Sequence, residues 1–275
     1  MLVTTVPIPY PLTLQAEPLT PASFAPFGSV LTNPAPTLRP HEVPAKPLPS
    51  GHGAVSANQG TAIQYRALAP PLRDLYAQAP SRAAAEPRTT MFVCQARDLL
   101  PAESLGSSND NKGRAESDGG FFEVKILERH PFTTQTFIPL SVPASSSTRY
   151  LVTVALSLAP GSADKDLPAP TEGASGSASK PQPQLPGRGL PDLTGLRAFI
   201  ATGAQAVTYG AGTWHAPMAA LGPRGSAIDF VVVQFANDVP VEDCQEVALG
   251  GENEKGKDPR ILVKVSASTA RLSKL

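Results

Sequence analysis

FFEVKILERHPFTTQTFIPL, residues 121–140, is the stretch on which the fold prediction rests. Its apolar and polar side chains alternate as they do in β-strands, and His130-Pro131 predicts a turn where two strands meet. Because side chains alternate across a strand, Glu128 and His130 are expected to point to the same face. Gln135 begins the next strand, so the stretch presents a carboxylate-x-His-x4-Gln spacing.

A second polar stretch lies far downstream at residues 207–218, VTYGAGTWHAPM. It offers Tyr209, Trp214 and His215. We expect the two stretches to converge inside one β-barrel, with the active site in the pocket between them. A lone histidine before proline is usually a turn residue, but a carboxylate, an amide and a second histidine in matching strands favour a functional site.

The rest of the chain reads as short strands separated by turns, without a long helical period. The 31 prolines exclude a mostly helical protein, because each proline inside a helix costs roughly 3 kcal/mol. One helical turn is predicted after Thr20 as N-cap, with Pro21 at the first helical position and Gly28 at its end. The predicted fold class is all-β, as a sandwich or barrel with few short helices. The other predicted strands begin or lie at residues 29–31, 91–97, 151–158, 228–235 and 261–265.

We expect one domain over residues 1–275, since the strand pattern runs throughout. Three segments are poor in large apolar residues or rich in proline, and they predict long flexible or disordered loops: 33–50, 102–119 and 159–190. Residues 266–275 predict a flexible tail.

The formal net charge is zero, with 23 basic and 23 acidic residues, which argues against nucleic acid or an anionic membrane as partner. The N-terminus lacks a basic region and is broken by prolines, so it predicts neither a signal peptide nor a membrane span. The two cysteines, Cys94 and Cys244, make no disulfide framework and suit a reducing compartment. The chain ends Ser273-Lys274-Leu275, which matches the address read by the peroxisomal import receptor.

The Glu128–Gln135 spacing resembles the first metal-binding motif of the cupins, His-x-His-x4-Glu, and a later motif of that family supplies another histidine. This resemblance implies a cupin-type double-stranded β-helix barrel. It also implies a possible divalent metal site, of nickel or zinc type, formed by Glu128, His130, Gln135 and His215. Imidazole and carboxylate are good ligands, whereas an amide oxygen is weaker. Gly210-x-Gly212 lacks the third glycine of a dinucleotide fingerprint, so no nucleotide or organic cofactor is expected.

The chain resembles the ureidoglycolate lyase family more closely. The resemblance is carried, in family order, by Leu127–Pro131, Thr134–Pro139, Pro191–Leu193 with Leu196–Ile200, Val207–Tyr209, Trp214-His215 and Asp229-Phe230. The long insertions resemble those of fungal members. Bacterial members carry a second histidine where this chain has Ala216. The catalytic role that the resemblance implies is therefore assigned to His215. Members are typically homodimers.

The resemblance implies cleavage of ureidoglycolate to glyoxylate and urea in allantoin and purine catabolism, which agrees with a peroxisomal address; a cytoplasmic location is the alternative. His130 and His215 would serve as acid and base or as metal ligands, with Glu128, Gln135 and Tyr209 as further catalytic groups.

Substrate binding would fall to further side chains. The amides of Asn58 and Gln59 would bind the urea end, although an Asn-Gln-Gly sequence more often forms a plain turn. Lys125 or Arg129 would neutralise the carboxylate, although both point away from Glu128 by strand parity. Trp214 would line the pocket or pack in the core.

Two alternatives stay open. One is an amidohydrolase that releases ammonia, which no motif separates from the lyase. The other is a non-catalytic cupin that binds a small carboxylate.

Overall fold

A computed structural model of the chain describes residues 1–43, 48, 51–101, 119–140, 142–143, 148–171, 185, 187–250 and 259–266. The strands are β1 (Leu2–Val6), β2 (Leu12–Gln15), β3 (Glu17–Pro18), β4 (Gly28–Leu31), β5 (Ala54–Ala57), β6 (Ala62–Tyr65), β7 (Glu86–Gln95), β8 (Gly120–Val124), β9 (Ile126–Arg129), β10 (Gln135–Leu140), β11 (Arg149–Ala155), β12 (Arg197–Thr202), β13 (Ala206–Tyr209), β14 (Trp214–His215), β15 (Ala219–Leu221), β16 (Ala227–Ala236), β17 (Gln245–Leu249) and β18 (Ile261–Val265). The helices are α1 (Pro21–Phe24) and α2 (Pro240–Asp243), with 3-10 turns at Pro40–Glu42, Asn58–Gly60 and Tyr76–Gln78. The all-β prediction with few short helices is confirmed.

Two sheets form the body of the molecule. The larger has the order β1-β17-β9-β14-β11-β12-β3, with β15 also paired to β11, and the smaller has the order β4-β13-β10-β16-β7. A bridge between Ala96 and Ala220 joins the sheets at one corner. This arrangement is consistent with the cupin-like barrel, although among the described residues no continuous ladder closes the two sheets into one ring.

The larger sheet separates two hydrophobic cores, as the alternation of its side chains dictates. On β11, Tyr150, Val152 and Val154 face the smaller sheet and belong to the inner core, which Phe137 and Phe230 also join. Side chains of opposite parity face a three-stranded layer of β2, β18 and β8 and form the outer core. The outer-core members of the larger sheet include Leu127, Leu151, Ala155, Ala198, Ile200, Trp214 and Val247.

Helix α1 forms as predicted. The Thr20 hydroxyl accepts a hydrogen bond from the Ser23 amide at 3.1 Å, and Pro21 occupies the first turn. The helix ends before Gly28, which instead opens β4. A Cβ on Gly28 would lie 1.9 Å from the Thr208 carbonyl oxygen, so only glycine lets these two backbones approach so closely.

The stretch 121–140 forms three strands where two were predicted. The chain leaves β8 at Val124 and enters β9 at Ile126, so the exposed Lys125 marks a change of partner sheet. Strand β8 pairs with β18, whereas β9 pairs with β14 and β17. The buried side chains change parity at this break, from Phe122 and Val124 on β8 to Leu127 and Arg129 on β9, and the adjacent apolar pair Ile126-Leu127 is its only trace in the sequence.

The predicted loops are described only in part. Residues 33–43 contain a short 3-10 turn, while residues 102–118 lie outside the described residues. The described ends of the 159–190 segment have no regular strand but are held by hydrogen bonds. The buried Asp164, for example, accepts from the amides of Gly161 and Leu190. Within the described ranges, no helix is long and apolar enough to cross a membrane.

Candidate active site

Three neighbouring strands place acidic and imidazole side chains in one row on the inner face of the larger sheet. Glu128 on β9 pairs directly with His215 on β14, and on its other side with Glu246 on β17. His130 follows β9 with the same parity as Glu128. The ligand atoms of Glu128, His130 and His215 all lie within 4.8 Å of one another. The predicted convergence of the two distant stretches is therefore present.

Backbone carbonyls fix how both imidazoles present their nitrogens. His130 Nδ1 donates to the Asp243 carbonyl at 2.7 Å, and His215 Nδ1 donates to the Thr213 carbonyl at 3.0 Å. Both Nε2 atoms are buried and lack a hydrogen-bond partner. His215 Nε2 lies 3.4 Å from Glu128 Oε1. With each ring proton on Nδ1, the Nε2 lone pairs face the interior.

Charge is concentrated in this row. Burial raises the pKa of Glu128, but the neighbouring His215 and His130 outweigh it and leave that pKa below its ordinary value. Burial lowers the pKa of His130 to about 4, assisted by His215 and opposed by Glu128. At neutral pH the site therefore holds an ionised carboxylate beside a neutral His130.

The cluster fits a divalent metal ion. Two buried Nε2 lone pairs and a carboxylate oxygen converge without a donor between them, which is unfavourable unless a cation or proton fills the space. Imidazole nitrogens whose other ring nitrogen donates to a carbonyl are the usual form of histidine ligands. Glu128, His130 and His215 could thus hold one ion.

Gln135 and Tyr209 border the same interior. They pair directly across β10 and β13, and the Tyr209 ring stacks on His215 at 4.0 Å between centroids. The Tyr209 hydroxyl and Gln135 Oε1 are buried without partners. Burial raises the pKa of Tyr209 well above its ordinary value, so the hydroxyl stays protonated. Gln135 Oε1 is an unused acceptor beside the triad and stays a predicted fourth ligand.

The structure does not bring Asn58 and Gln59 to this site. Both are exposed in the turn of the β5–β6 hairpin, where the Asn58 carbonyl accepts from the Thr61 hydroxyl at 2.7 Å. Every hydrogen bond of residues 51–67 that the described part of the chain contains is internal to that hairpin. The plain turn is the interpretation that this position supports.

Lys125 and Trp214 also lie away from the site. Lys125 is exposed and sits 3.7 Å from Glu123 in an ion pair. Trp214 is fully buried in the outer core, because its neighbour His215 takes the inner face. Arg129 shares the outer face with Trp214. Ala216 also belongs to the outer core, so a side chain at that position does not point at the triad.

Sequence reasoning missed three side chains near the row. Gln234 accepts a hydrogen bond from Gln135 Nε2 at 2.7 Å. Cys244 Sγ lies 4.0 Å from Glu128 Oε2, and Glu246 flanks Glu128 in register. Gln234 carried a signal: it is the one polar residue at the inward parity of the predicted strand 228–235. Cys244 and Glu246 carried none, since neither α2 nor β17 was predicted.

Comparison with known proteins agrees with the geometry. The family model described as "Ureidoglycolate lyase" matches residues 11–254. A protein of Schizosaccharomyces pombe named ureidoglycolate lyase is 30% identical over 232 residues, which cover 84% of this chain and 89% of the relative. A Saccharomyces cerevisiae protein of the same name is 30% identical over 239 residues, covering 86% and 93%. One from Burkholderia mallei is 29% identical over 226 residues, covering 82% and 84%. The chain belongs to the ureidoglycolate lyase family.

Proposed function

We propose that this protein cleaves ureidoglycolate to glyoxylate and urea. Family membership supplies the reaction, and the observation that carries the assignment is the convergence of Glu128 with the buried His130 and His215 on the inner face of the sheet. The reaction consumes no water. The substrate hydroxyl loses a proton, the C–N bond to the ureido nitrogen breaks, and that nitrogen gains a proton as urea leaves.

Glu128 is the group that we assign to proton transfer. Its pKa is lowered, so it is ionised at neutral pH and can accept the hydroxyl proton. The same carboxylate can then deliver that proton to the departing ureido nitrogen. Burial lowers the pKa of His130 to about 4, so this imidazole is neutral at neutral pH and its buried Nε2 lone pair suits a ligand role.

The neighbouring polar groups would orient the substrate. Tyr209 keeps its proton and can donate to a substrate oxygen. Gln135 Oε1 would accept from the ureido N–H groups where it does not ligate the ion. A divalent ion of nickel or zinc type, held by Glu128, His130 and His215 with Gln135 as the predicted fourth ligand, would supply Lewis-acid polarisation of the substrate oxygens.

The test is a product assay on the purified chain with ureidoglycolate, with and without a chelator and with the metal restored. We expect urea and glyoxylate in equal amounts, loss of activity with chelator, and recovery with metal. Ammonia in place of urea would establish the amidohydrolase alternative. No product from folded, metal-supplied protein would leave a non-catalytic carboxylate-binding cupin.

We further propose a homodimer. Strand β7 is the long edge of the smaller sheet and exposes Met91, Phe92 and Val93 in succession, whereas most edge strands are protected by charges or bulges. Light scattering during size-exclusion chromatography should give twice the chain mass. A monomer at micromolar concentration would reject this proposal.

The peroxisomal matrix is the proposed location, and it suits the proposed place in allantoin and purine catabolism. The support is the Ser273-Lys274-Leu275 sequence, which lies outside the described residues. A fluorescent protein fused ahead of the full chain should be imported into peroxisomes, and deletion of Leu275 should leave it cytosolic. Cytosolic fluorescence of the complete fusion would support the cytoplasmic alternative.

A further inference from the structure

The outer face of the three site-bearing strands carries a second polar cluster, buried behind the row. Arg129 ends β9 just before His130, Trp214 precedes His215 on β14, and Gln245 precedes Glu246 on β17. All three side chains are fully buried. The proposed reaction assigns no role to any of the three. A buried guanidinium is costly to desolvate, so its presence here calls for an explanation.

Arg129 joins these strands to one another and to the segment 187–190. Its Nε donates to Gln245 Oε1 at 2.8 Å, and its guanidinium lies 4.5 Å from the centroid of the Trp214 ring. Its Nη1 donates to the Gly189 carbonyl at 2.9 Å, and its Nη2 donates to the Arg188 carbonyl at 3.0 Å. A weaker contact of 3.4 Å reaches the Ser157 hydroxyl. Among the described residues, Arg129 forms no ion pair.

The partners of Arg129 are themselves fixed. Trp214 Nε1 donates to the same Gly189 carbonyl at 3.1 Å. Gln245 Nε2 donates to the carbonyls of Pro168 and Val241 at 2.8 and 2.9 Å. The cluster therefore links both described ends of the 159–190 segment to the back of the strands that carry the site.

We propose that Arg129 is a positioning residue, which clamps β9, β14 and β17 in register through Gly189, Trp214 and Gln245 so that Glu128, His130 and His215 converge on one ion. This inference rests on the metal site of the proposed function. The three ligands come from two strands and a strand end, so a small slip between strands would separate their atoms. A planar guanidinium suits this role because its donors point in fixed directions to several acceptors at once.

Gly189 offers a way to release the clamp without altering the buried arginine. A Cβ on Gly189 would lie 2.3 Å from the Leu158 carbonyl oxygen, so Gly189→Ala must displace the carbonyl shared by Arg129 and Trp214. Gly161 provides a matched control in the same segment. A Cβ there would meet only Asp164 Oδ1, at an ordinary 3.9 Å.

Arg197 provides the matched control for substitution of the arginine itself. It lies 5.0 Å from the Phe199 ring centroid and donates to Glu17 at 2.7 Å, but it is on β12, away from the three site-bearing strands. Arg129→Lys keeps the positive charge and loses the fork of donors. Arg197→Lys makes the same change where no site ligand is attached.

The measurement is the affinity of the full chain for zinc and nickel ions, determined by competition with a chromophoric chelator at a temperature where circular dichroism shows each variant folded. We expect Arg129→Lys and Gly189→Ala to bind the metal about 10- to 100-fold more weakly, as loss of groups that orient ligands usually does. Arg197→Lys and Gly161→Ala should bind as the unaltered chain does. Trp214, the only tryptophan, reports the clamp directly: its emission should shift in both test variants and in neither control.

Unchanged metal affinity in folded Arg129→Lys and Gly189→Ala would overturn the positioning role, even if both variants melt earlier. Failure of the unaltered chain to bind either ion would overturn it together with the metal site. Weaker metal binding in the two variants, in a chain that releases no urea, would instead sustain the positioning role and reject the lyase activity.

Discussion

Main-chain carbonyls hold both imidazoles of this site, and Glu128 supplies the one carboxylate among the three converging ligands. Glu128→Gln keeps the size of the side chain but removes its ability to carry a proton. We expect kcat for urea release to fall on the order of 10²- to 10⁴-fold, the range typical of general acid–base groups. Glu123→Gln, which alters only the ion pair with Lys125, is the control and should keep its kcat. Equal activity of the two variants would remove Glu128 from the chemistry.

Tyr209 presents a hydroxyl that is buried without a partner and a ring that stacks on His215. Tyr209→Phe keeps the stacking and deletes the unpaired hydroxyl. We therefore expect unchanged or higher thermal stability, because no hydrogen bond is lost from the folded chain, together with a lower kcat. The check is Tm and steady-state kinetics on the same preparation. A drop in Tm with full activity would assign the hydroxyl to the fold alone.

Lys125 gives a prediction of the opposite kind. Its side chain is exposed and paired with Glu123, so Lys125→Met should leave kcat and KM for ureidoglycolate within about twofold, since an exposed ion pair contributes little. The contact that binds the substrate carboxylate is then elsewhere. A tenfold rise in KM would show that Lys125 reaches the substrate after all.

At the scale of elements, local patterns predicted β4, β7, β11, β16 and β18, but not β1, β2, β3, β15 or β17. The alternation in residues 228–235 and 261–265 fixed β16 and β18 to within a residue, and Pro21 after Thr20 fixed the start of α1. What the pattern could not give was partner choice, which depends on distant residues. The change from β8 to β9 at Lys125 shifts the parity of the buried residues, but that shift does not say which strands become the new partners.

The dependence on distant residues also explains which of the predicted site residues the structure brings together. Parity placed Glu128 with His130 correctly, and adjacent parity should have placed Trp214 opposite His215, in the outer core. Asn58 and Gln59 were linked to the substrate by composition alone, and no local rule reports that a hairpin stands apart. The backbone carbonyls of Thr213 and Asp243, which orient the imidazoles, leave no trace in side-chain sequence.

Helix α2 makes the stability of the fold next to the site depend on pH. Its buried Glu242 accepts hydrogen bonds from the Ser81 amide at 2.8 Å, the Ser81 hydroxyl and Asn237, and the next residue supplies the carbonyl that holds His130. Burial raises the pKa of Glu242, but these donors outweigh it and lower that pKa below its ordinary value. This stabilisation is present at neutral pH and is lost as pH falls through the lowered pKa.

Glu242→Gln should therefore destabilise the folded chain by about 1–3 kcal/mol at pH 7, because the NH₂ group of glutamine would face N–H or O–H donors of Ser81 and Asn237. The difference from the unaltered chain should shrink below about pH 4.5, where Glu242 begins to protonate in the unfolded state. Urea denaturation across pH 3.5–7 measures both effects. A free-energy difference that stays constant over this range would contradict the assignment of the lowered pKa to Glu242.

At the scale of the molecule, the larger sheet is a partition with two different sides. Its inner face holds the row of Glu128, His130 and His215 beside the inner core, and its outer face holds the Arg129 cluster and the outer core. The side-chain alternation alone therefore places the proposed site and the proposed clamp back to back on the same strands.

The catalytic role of the site is tested most directly by the initial rate of urea and glyoxylate release from ureidoglycolate, measured together on the metal-loaded chain and on His215→Asn. His52→Asn, which alters an exposed histidine in the β5–β6 hairpin, is the control. We expect equal urea and glyoxylate from the unaltered chain and from the control, and a loss of both products in His215→Asn. Equal release of both products by folded His215→Asn, or ammonia in place of urea from the unaltered chain, would contradict this expectation.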